Sequence, residues 1–453
     1  MTRFYDFDRN MTVASSRLTD DTRGKSTTPY FEHEKRCMSK KIVIAVMVTM
    51  SATGISIANV GSTSITPFYL AFILPLALWV VSLAKGESKL DGPVAFMLCW
   101  GVIFVLFSMI NPASSFAGEN KNSLLHFCFY VAVGACLFGV LRNHSSDLKI
   151  VCCSVVILYF AVTAAQLLFH VLSVPVPDLL SQFFDPYFDL TTGQLRYAGL
   201  SSEPSYLAMI VTMSAIALVR INKVDPCKHL WVLLALSVLT LLISQTMLGI
   251  MSVAVILVAV FSDIRSRSNS KVYSALTIVF ILIVVIMALD QIASNYYFNR
   301  LTELVSAVST SGRQFLTQLQ NSDSSVWFRI APFVLLVGSL DFMSIYAWFG
   351  NGIGTSTKFY TNLIWGSNAG SEAIRTPFYS SSMYDIGIVG MLSFLIYILR
   401  FCWSSGFICC FYLCICYWNC AFSTQAFWFL TLIAFWTSSF CRSVEFTKKR
   451  RTP

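Results

Sequence analysis

Charge is scarce in this sequence. Only 12% of its 453 residues are Asp, Glu, Lys or Arg, and 56% are hydrophobic. Soluble globular chains carry about 25% charged residues, so an ordinary soluble domain is excluded. Only helices and closed barrels satisfy their backbone hydrogen bonds inside a bilayer, and the apolar runs here are long and continuous rather than alternating. The composition therefore predicts an all-α polytopic integral membrane protein.

Twelve stretches of the sequence are candidates for membrane spans. A hydrocarbon core about 30 Å thick requires roughly 20 mostly apolar residues per helix. Two of the twelve, 230–244 and 406–420, are short for a complete crossing. The predicted spans are 42–60, 65–84, 93–110, 123–141, 150–173, 204–219, 230–244, 247–262, 272–289, 383–399, 406–420 and 424–441.

Lysine and arginine are nearly missing from one set of the connecting loops. With twelve spans both termini face the same side, and placing them in the cytoplasm gives eleven Lys and Arg in the short inside loops against two in the outside loops other than the long loop 290–380. Positive charge is retained on the cytoplasmic side of bacterial membranes. Both termini are therefore predicted to be cytoplasmic, and the segment around Arg196 is predicted to face outward.

The polar ends of the chain differ from its apolar middle. Residues 1–41 are predicted to form a polar cytoplasmic tail. Met38 opens a segment that resembles a natural start, so an over-extended start is an alternative interpretation of this tail. Residues 42–441 are predicted to form a polytopic membrane domain, and 442–453 a basic cytoplasmic tail.

Two external loops are predicted to be long, 174–203 and 290–380. Loops of more than about 15 residues are usually functional or disordered. The apolar stretch 330–340 is about half the length of a span, so it is predicted as an interfacial or re-entrant helix rather than a thirteenth span. The two loops contain most of the external charge: Arg196, Glu203, Arg300, Arg313, Arg329, Lys358 and Arg375.

Ionisable residues are almost absent from the predicted spans. Asp385 lies at the end of one span, and His126 and His170 are the exceptions inside others. Pumps and ion-coupled transporters usually bury charged residues near mid-membrane, so this scarcity argues against transport. External arginines instead indicate an anionic ligand, since guanidinium groups bind phosphate or pyrophosphate in a bidentate manner.

Glu203 directly precedes Pro204, which is a favoured first residue of a helix. This order predicts that Glu203 is the N-cap of the following span, with its carboxylate held ionised by backbone N–H groups and the helix dipole. An ordinary helix cap is one interpretation. A fixed carboxylate that accepts a proton from a substrate hydroxyl is the other.

Gly350, Gly352 and Gly354 form a glycine-rich stretch outside any βαβ unit, which excludes a dinucleotide fold. A plain flexible loop and a phosphate-cradling loop both remain open for it. For Arg329 two interpretations also remain, an arginine that reaches lipid phosphates and an arginine that binds pyrophosphate.

Metal and nucleic-acid binding find little support. Fourteen cysteines are present, but they form no two CxxC pairs, and no histidine lies within the cluster at 402–420. A zinc site is therefore not expected. The excess positive charge lies in the cytoplasmic loops and tails, where orientation explains it and nucleic acid is not needed.

The stretch "RYAGLSSEPSYLA", residues 196–208, resembles the R-x-x-G-x-x-x-E-P-S-x-x-A pattern of Wzy-type O-antigen polymerases. "SSVWFRIAP" (324–332) resembles the segment of that family's second large external loop in which a serine is followed by an arginine. "FGNGIGTS" (349–356) resembles its G-x-G-x-G stretch, and "MYDIGIVGMLSFLIYIL" (383–399) the glycine-punctuated helix that follows.

This resemblance implies a GT-C-like enzyme of the bacterial inner membrane that joins undecaprenyl-pyrophosphate-linked oligosaccharides and uses no nucleotide sugar. Arg196 and Arg329, together with Arg313, would neutralise the leaving pyrophosphate, and Glu203 would orient or deprotonate the acceptor hydroxyl. The predicted substrate-binding residues are Arg313, Gly199, Ser205, Gly350, Gly352 and Gly354. No metal or other cofactor is required. Membrane lipids, a chain-length regulator and a flippase are the implied partners.

Two alternatives remain. An O-antigen ligase, which transfers the glycan to lipid A core, is similar in plan but usually has a histidine after the glycine stretch, and 376–385 contains none. A lipid-linked oligosaccharide flippase would line its spans with polar residues, and these spans are nearly uncharged. Both departures favour the polymerase.

Overall fold

The computed structural model describes residues 29–60, 63–86, 91–111, 119–141, 147–173, 187–189, 194–267, 313–322, 324–365 and 376–451. The predicted span 272–289, most of the predicted N-terminal tail, and Arg300 and Arg375 lie outside these residues. The chain divides into the compact units Met1–Ile42 and Val43–Pro453. Of the first unit, the described part is the beginning of a helix.

Helices account for most of the described residues. In chain order they are α1 (Pro29–Ser51), α2 (Pro67–Ala84), α3 (Gly92–Ile110), α4 (Glu119–Leu141), α5 (Leu148–Val171), α6 (Pro204–Asn222), α7 (Leu230–Ile243), α8 (Met247–Arg267), α9 (Arg313–Ser322), α10 (Ser324–Ser339), α11 (Ile345–Phe349), α12 (Ser356–Trp365), α13 (Phe378–Asp385), α14 (Gly387–Cys402), α15 (Phe407–Cys416) and α16 (Gln425–Arg451).

Five helical segments in the described part are long and apolar enough to cross a membrane. They are Pro67–Ala84, Gly92–Ile110, Leu148–Val171, Pro204–Asn222 and Gly387–Ser405, the last formed by α14 and the 3₁₀ turn after it. Shorter apolar helices accompany them, among them α7 and α15. The structure therefore confirms the class, an all-α protein embedded in a membrane. The number of twelve spans stays a prediction.

Two predicted boundaries were wrong. The first span was expected over 42–60, but α1 ends at Ser51 and the chain turns into a hairpin. The span 383–399 is interrupted after Asp385, because Gly387 adopts a positive φ of 71° and α14 begins there. Helix α16 continues through 442–451, and the cytoplasmic location of this segment stays a prediction.

Helix α6 lies at the centre of the bundle. Of its most apolar stretch 83% is buried, against 22–39% for the other four long segments. It packs against α5, α7, α8, α15 and α16. A helix that is apolar all round is one that is enclosed by other helices, and small residues such as Ala208, Ala215 and Ala217 allow these neighbours to approach.

Two short antiparallel hairpins are described. The strands β1 (Ala58–Val60) and β2 (Thr63–Ile65) follow α1. The strands β3 (Tyr187–Asp189) and β4 (Gln194–Arg196) precede α6, with Tyr187 opposite Arg196. The second hairpin therefore leads directly into the loop that carries Glu203.

Several turns and helix ends lie near the first turns of α6. Cys420, in the turn between α15 and α16, contacts Met209 of α6 through sulfur atoms 3.8 Å apart. The Cys420 carbonyl accepts a hydrogen bond from the N–H of Phe378 at 2.8 Å, which brings α13 to the same place. Residues 330–339 of the predicted interfacial stretch belong to α10, whose 16 residues are too few to cross the hydrocarbon core alone.

Candidate functional site

Glu203 is the N-cap residue of α6, as the sequence predicted, with φ −141° and ψ 145° and Pro204 at the first helical position. Its carbonyl oxygen accepts from the N–H of Tyr206 at 3.1 Å. The expected bonding of its carboxylate was wrong, because no helix N–H donates to it. Instead the hydroxyl of Ser205 donates to Glu203 Oε2 at 3.1 Å. The carboxylate therefore accepts from a side chain of the first turn of α6 rather than from the backbone N–H groups.

Arg329 of α10 meets this carboxylate. Its Nη2 lies 3.9 Å from Glu203 Oε2, and the two side chains are 26% and 43% exposed. A separation of 3.9 Å exceeds hydrogen-bonding distance. Ion pairs this open to water contribute only about 0–1 kcal/mol to stability. Two of the three predicted catalytic residues, far apart in sequence, thus form a loose pair that contributes little to holding the fold together.

The loop before Glu203 is fixed by the side chain of Gln166 in α5. Gln166 Nε2 donates to the carbonyl of Gly199 at 3.1 Å, and Gln166 Oε1 accepts from its N–H at 2.9 Å. Gly199 has φ +60°, and a Cβ there would lie 2.9 Å from the hydroxyl of Thr163. The predicted substrate-binding glycine therefore has a backbone role, since only glycine fits this contact.

Two further contacts fix the same loop. The Tyr159 hydroxyl bonds to Ser201 Oγ at 2.9 Å and donates to the carbonyl of Ser51. On the other side the N–H of Gly54 donates to the carbonyl of Leu200 at 2.9 Å. Glu203 thus extends from a loop held by α5 and by the segment after α1, which restricts where its carboxylate can lie.

These fixing residues were missed in the sequence, although a signal for them is present. Tyr159, Thr163, Gln166 and His170 recur at three- and four-residue spacing in an otherwise apolar span, which places them on one helical face. In the structure the His170 ring lies against Tyr197, with 6.2 Å between ring centroids. The polar face of α5 therefore meets the loop that follows β4.

The other predicted arginines lie on neighbouring elements. Arg196 ends β4, three residues before Gly199, and is partly buried. Arg313 is the first residue of α9, which packs on α10 through a small core of Leu319, Trp327 and Ala331. Both are thus carried by elements next to the Glu203–Arg329 pair, and their part in binding stays a prediction.

The glycine-rich stretch surrounds the carboxylate of Asp385. The N–H groups of Gly354 and Ser356 donate to it at 3.0 and 2.8 Å, and the hydroxyls of Ser356 and Thr355 donate at 3.1 and 3.3 Å. The N–H of Gly352 donates to the backbone carbonyl of Asp385 at 3.0 Å. The structure therefore assigns this loop to packing around Asp385, and these N–H groups are engaged within the protein.

Close backbone approach explains the glycines themselves. A Cβ at Gly350 would lie 2.2 Å from the carbonyl oxygen of Asp385, and one at Gly387 would lie 2.3 Å from that of Trp348. Gly350, Gly352, Gly354 and Gly387 all have positive φ. The sequence placed Asp385 at the end of a span but did not pair it with this loop. Burial raises the pKa of Asp385 to about 6, although its four hydrogen bonds oppose the shift.

Cys420 lies beside the Glu203–Arg329 pair. Burial raises the pKa of its thiol, the charge of Glu203 raises it further, and the charge of Arg329 opposes the rise. Both charges therefore act on the turn between α15 and α16. The N–H of Phe378, the first residue of α13, donates to the carbonyl of Cys420 at 2.8 Å, so the start of α13 contacts the same turn.

The arrangement offers one carboxylate acceptor, one hydroxyl and one guanidinium at the end of a buried helix. In the described part of the chain, no group of three His, Cys, Asp or Glu side chains could hold a metal ion. A scan of protein-family models gives no match to the chain. A search of curated proteins likewise returns no significant match.

Proposed function

We propose that the protein is a surface polysaccharide polymerase of the Wzy type. It joins undecaprenyl-pyrophosphate-linked oligosaccharide repeat units at the outer face of the bacterial inner membrane, with both termini in the cytoplasm. The observation that carries the proposal is the open pair of Glu203 and Arg329. The two segments that resemble separate motifs of the polymerase family supply one residue each to this pair.

The pair suits transfer of a glycan from a pyrophosphate. The new bond forms between an acceptor hydroxyl oxygen and the anomeric carbon of the donor glycan, while the bond from that carbon to the pyrophosphate oxygen breaks. The Glu203 carboxylate accepts the hydroxyl proton, and Ser205 keeps one carboxylate oxygen in place. The leaving pyrophosphate gains negative charge, which the guanidinium of Arg329 stabilises, assisted by Arg196 and Arg313.

The wide separation of the two groups in the pair supports these roles. At 3.9 Å the guanidinium and the carboxylate form an ion pair without a short hydrogen bond between them, so a pyrophosphate that binds the arginine does not have to break one to Glu203. The carboxylate, 43% exposed, remains accessible to a hydroxyl. The implied chain-length regulator and flippase belong to the same proposal.

The first experiment is the lipopolysaccharide or capsule profile of the bacterium after deletion of the gene. A polymerase predicts a change from a long ladder to core plus one repeat unit, restored by the full chain and by a chain that starts at Met38. Core without any repeat unit would contradict the proposal. Accumulated lipid-linked polymer would then indicate the ligase, and its absence the flippase.

Residue variants test the pair itself. Arg329→Ala and Glu203→Gln should each restore less than about 1% of the ladder, because each removes a charge that acts in the transition state. The matched control is Lys358→Ala, which removes an exposed cation from α12 and should restore the full ladder. All three proteins should reach the membrane in equal amount. A full ladder with Arg329→Ala would contradict the proposal that Arg329 stabilises the leaving pyrophosphate.

A further inference from the structure

An aromatic group lies beside the Glu203–Arg329 pair and consists of Phe333, Tyr379 and Trp418. The ring centroids of Phe333 and Trp418 are 5.0 Å apart at an interplanar angle of 75°, and those of Tyr379 and Trp418 are 4.8 Å apart at 42°. All three side chains are partly exposed. The Tyr379 hydroxyl donates to the carbonyl of Cys414 at 3.0 Å, which fixes that ring.

Two separate paths along the chain place this group next to the pair. Phe333 follows Arg329 by four residues on α10, so it lies about one turn, or roughly 6 Å, along the same face. Trp418 precedes Cys420 by two residues, so their Cα atoms are at most about 7 Å apart. Cys420 is held against α13, which packs on α10, by the hydrogen bond from the N–H of Phe378 to its carbonyl at 2.8 Å.

The neighbouring aromatic core shows what is unusual about the group. Phe378, Phe394, Phe427 and Trp428 also stack on one another, but they are fully buried and fill the bundle. Trp418 lies at the edge of this core with part of its ring open. Trp418 is therefore partly exposed, as Phe333 and Tyr379 are, and a ligand held by Glu203 and Arg329 could reach it.

We propose that Phe333, Tyr379 and Trp418 form a binding surface for a sugar ring of the lipid-linked glycan. This inference rests on the proposed function and adds a substrate subsite to it. Aromatic faces carry partial negative charge, and the C–H groups on one face of a pyranose carry partial positive charge, so the two attract when stacked. A carboxylate and a guanidinium beside the rings supply the hydrogen bonds that sugar hydroxyls need.

The alternative occupant is the polyprenyl tail, which any apolar side chain would suit. Leucine and phenylalanine at position 418 separate the two, because leucine keeps apolar contact and lacks a ring face. The probe is the free oligosaccharide released by mild acid from the cell's own lipid-linked repeat units. Its binding to the purified full-length protein in detergent is measured by saturation-transfer NMR and equilibrium dialysis.

Trp418→Leu should weaken oligosaccharide binding about five- to tenfold, and Trp418→Phe about twofold or less, since one aromatic contact contributes on this scale. Phe333→Leu should also weaken binding, which would show that the loss does not result from a local structural defect at position 418. The matched control is Trp403→Leu. Trp403 is 65% exposed and lies in the 3₁₀ turn after α14, so this variant should bind the oligosaccharide as tightly as wild type does. Each variant is first checked for an unchanged thermal midpoint.

Oligosaccharide binding by Trp418→Leu at the wild-type level would overturn the inference. If this variant lost binding of undecaprenyl phosphate and kept binding of the oligosaccharide, the surface would be assigned to the lipid tail. These results are separable from the proposed function. If gene deletion leaves the ladder unchanged, the polymerase fails while glycan binding is still measured. If deletion abolishes the ladder but Trp418→Leu binds normally, the subsite alone fails.

Discussion

Two carboxylates at helix ends in this protein have opposite surroundings. Asp385 accepts two N–H and two hydroxyl hydrogen bonds from residues 354–356. Glu203 accepts one hydroxyl hydrogen bond and has a guanidinium 3.9 Å away. Both follow or adjoin glycine-containing segments that resemble motifs of one family. Their surroundings show that a motif residue can be either structural or available to a substrate.

The difference follows from hydrogen-bond satisfaction. A carboxylate whose oxygens are engaged by backbone donors has little capacity left for a ligand, and removing it leaves those donors without an acceptor. A carboxylate with one donor can exchange water for a substrate hydroxyl at small cost. The carboxylate of Asp385 is therefore engaged within the fold, whereas that of Glu203 has fewer protein donors, as the proposed catalytic role requires.

The largest expected effect comes from Gly387→Ala in the Asp385 region. An added Cβ would lie 2.3 Å from the carbonyl oxygen of Trp348, and the residue has φ +71°. The nearest atoms, the carbonyl of Trp348 and the nitrogen of Gly350, belong to the backbone and cannot rotate away. We therefore expect the free energy of unfolding to fall by about 4 kcal/mol or more, enough to prevent stable folding. The measurement is the yield of monodisperse protein after detergent extraction.

Gly338→Ala is the control for that substitution. Gly338 lies inside α10 with open space around its Cβ position. Alanine in a helix interior is favoured over glycine by about 0.5–1 kcal/mol, so yield should be unchanged or higher. Equal yields for the two variants would contradict the close backbone contact at Gly387.

The next largest effects distinguish the two carboxylates, because removal of one should lower stability and removal of the other should abolish activity. Asp385→Ala should lower stability by about 2–4 kcal/mol, because the N–H groups of Gly354 and Ser356 lose their acceptor. Glu203→Ala should change stability by less than about 0.5 kcal/mol while abolishing the ladder. Thermal midpoints and ladder profiles of both variants are the measurements. A stability loss at Glu203 equal to that at Asp385 would remove the distinction.

The sequence predicted one side of this comparison well. Pro204 placed Glu203 at the N-cap by local geometry, and the resemblance selected Arg329, which the structure puts beside it. Asp385 could not be paired with residues 354–356, since such a contact depends on tertiary packing. For the same reason the break before Gly387 was missed, because the close approach of the Trp348 carbonyl to this residue is a contact between segments distant in sequence. The carboxylate of Glu203 was wrongly expected to cap its helix, since the competing donor Ser205 was not considered.

A smaller effect is expected from the residue that positions Glu203. Gln166→Leu removes both hydrogen bonds to Gly199 and should lower the rate of polymerisation about ten- to hundredfold with an unchanged substrate KM, because the carboxylate moves while the binding surface remains. Ser237→Ala is the control, since the Ser237 hydroxyl donates to the carbonyl of Leu233 within α7 and does not contact this loop in any described hydrogen bond. Initial rates with purified lipid-linked substrate measure both. A raised KM at constant rate would contradict a positioning role.

The smallest expected effect is the pH dependence of stability that Asp385 causes. Its pKa of about 6 in the folded protein exceeds the ordinary value of 3.8, so the folded state holds the proton more tightly than the unfolded state. The resulting stabilisation is complete below about pH 4 and is lost as the pH rises through 6, with an upper limit of about 3 kcal/mol. Asp385→Asn cannot titrate, so the difference in thermal midpoint between wild type and this variant should change in favour of wild type on acidification from pH 7 to 4. Parallel pH profiles would show that Asp385 is solvated like a surface carboxylate, and the contrast with Glu203 would then rest on hydrogen bonding alone.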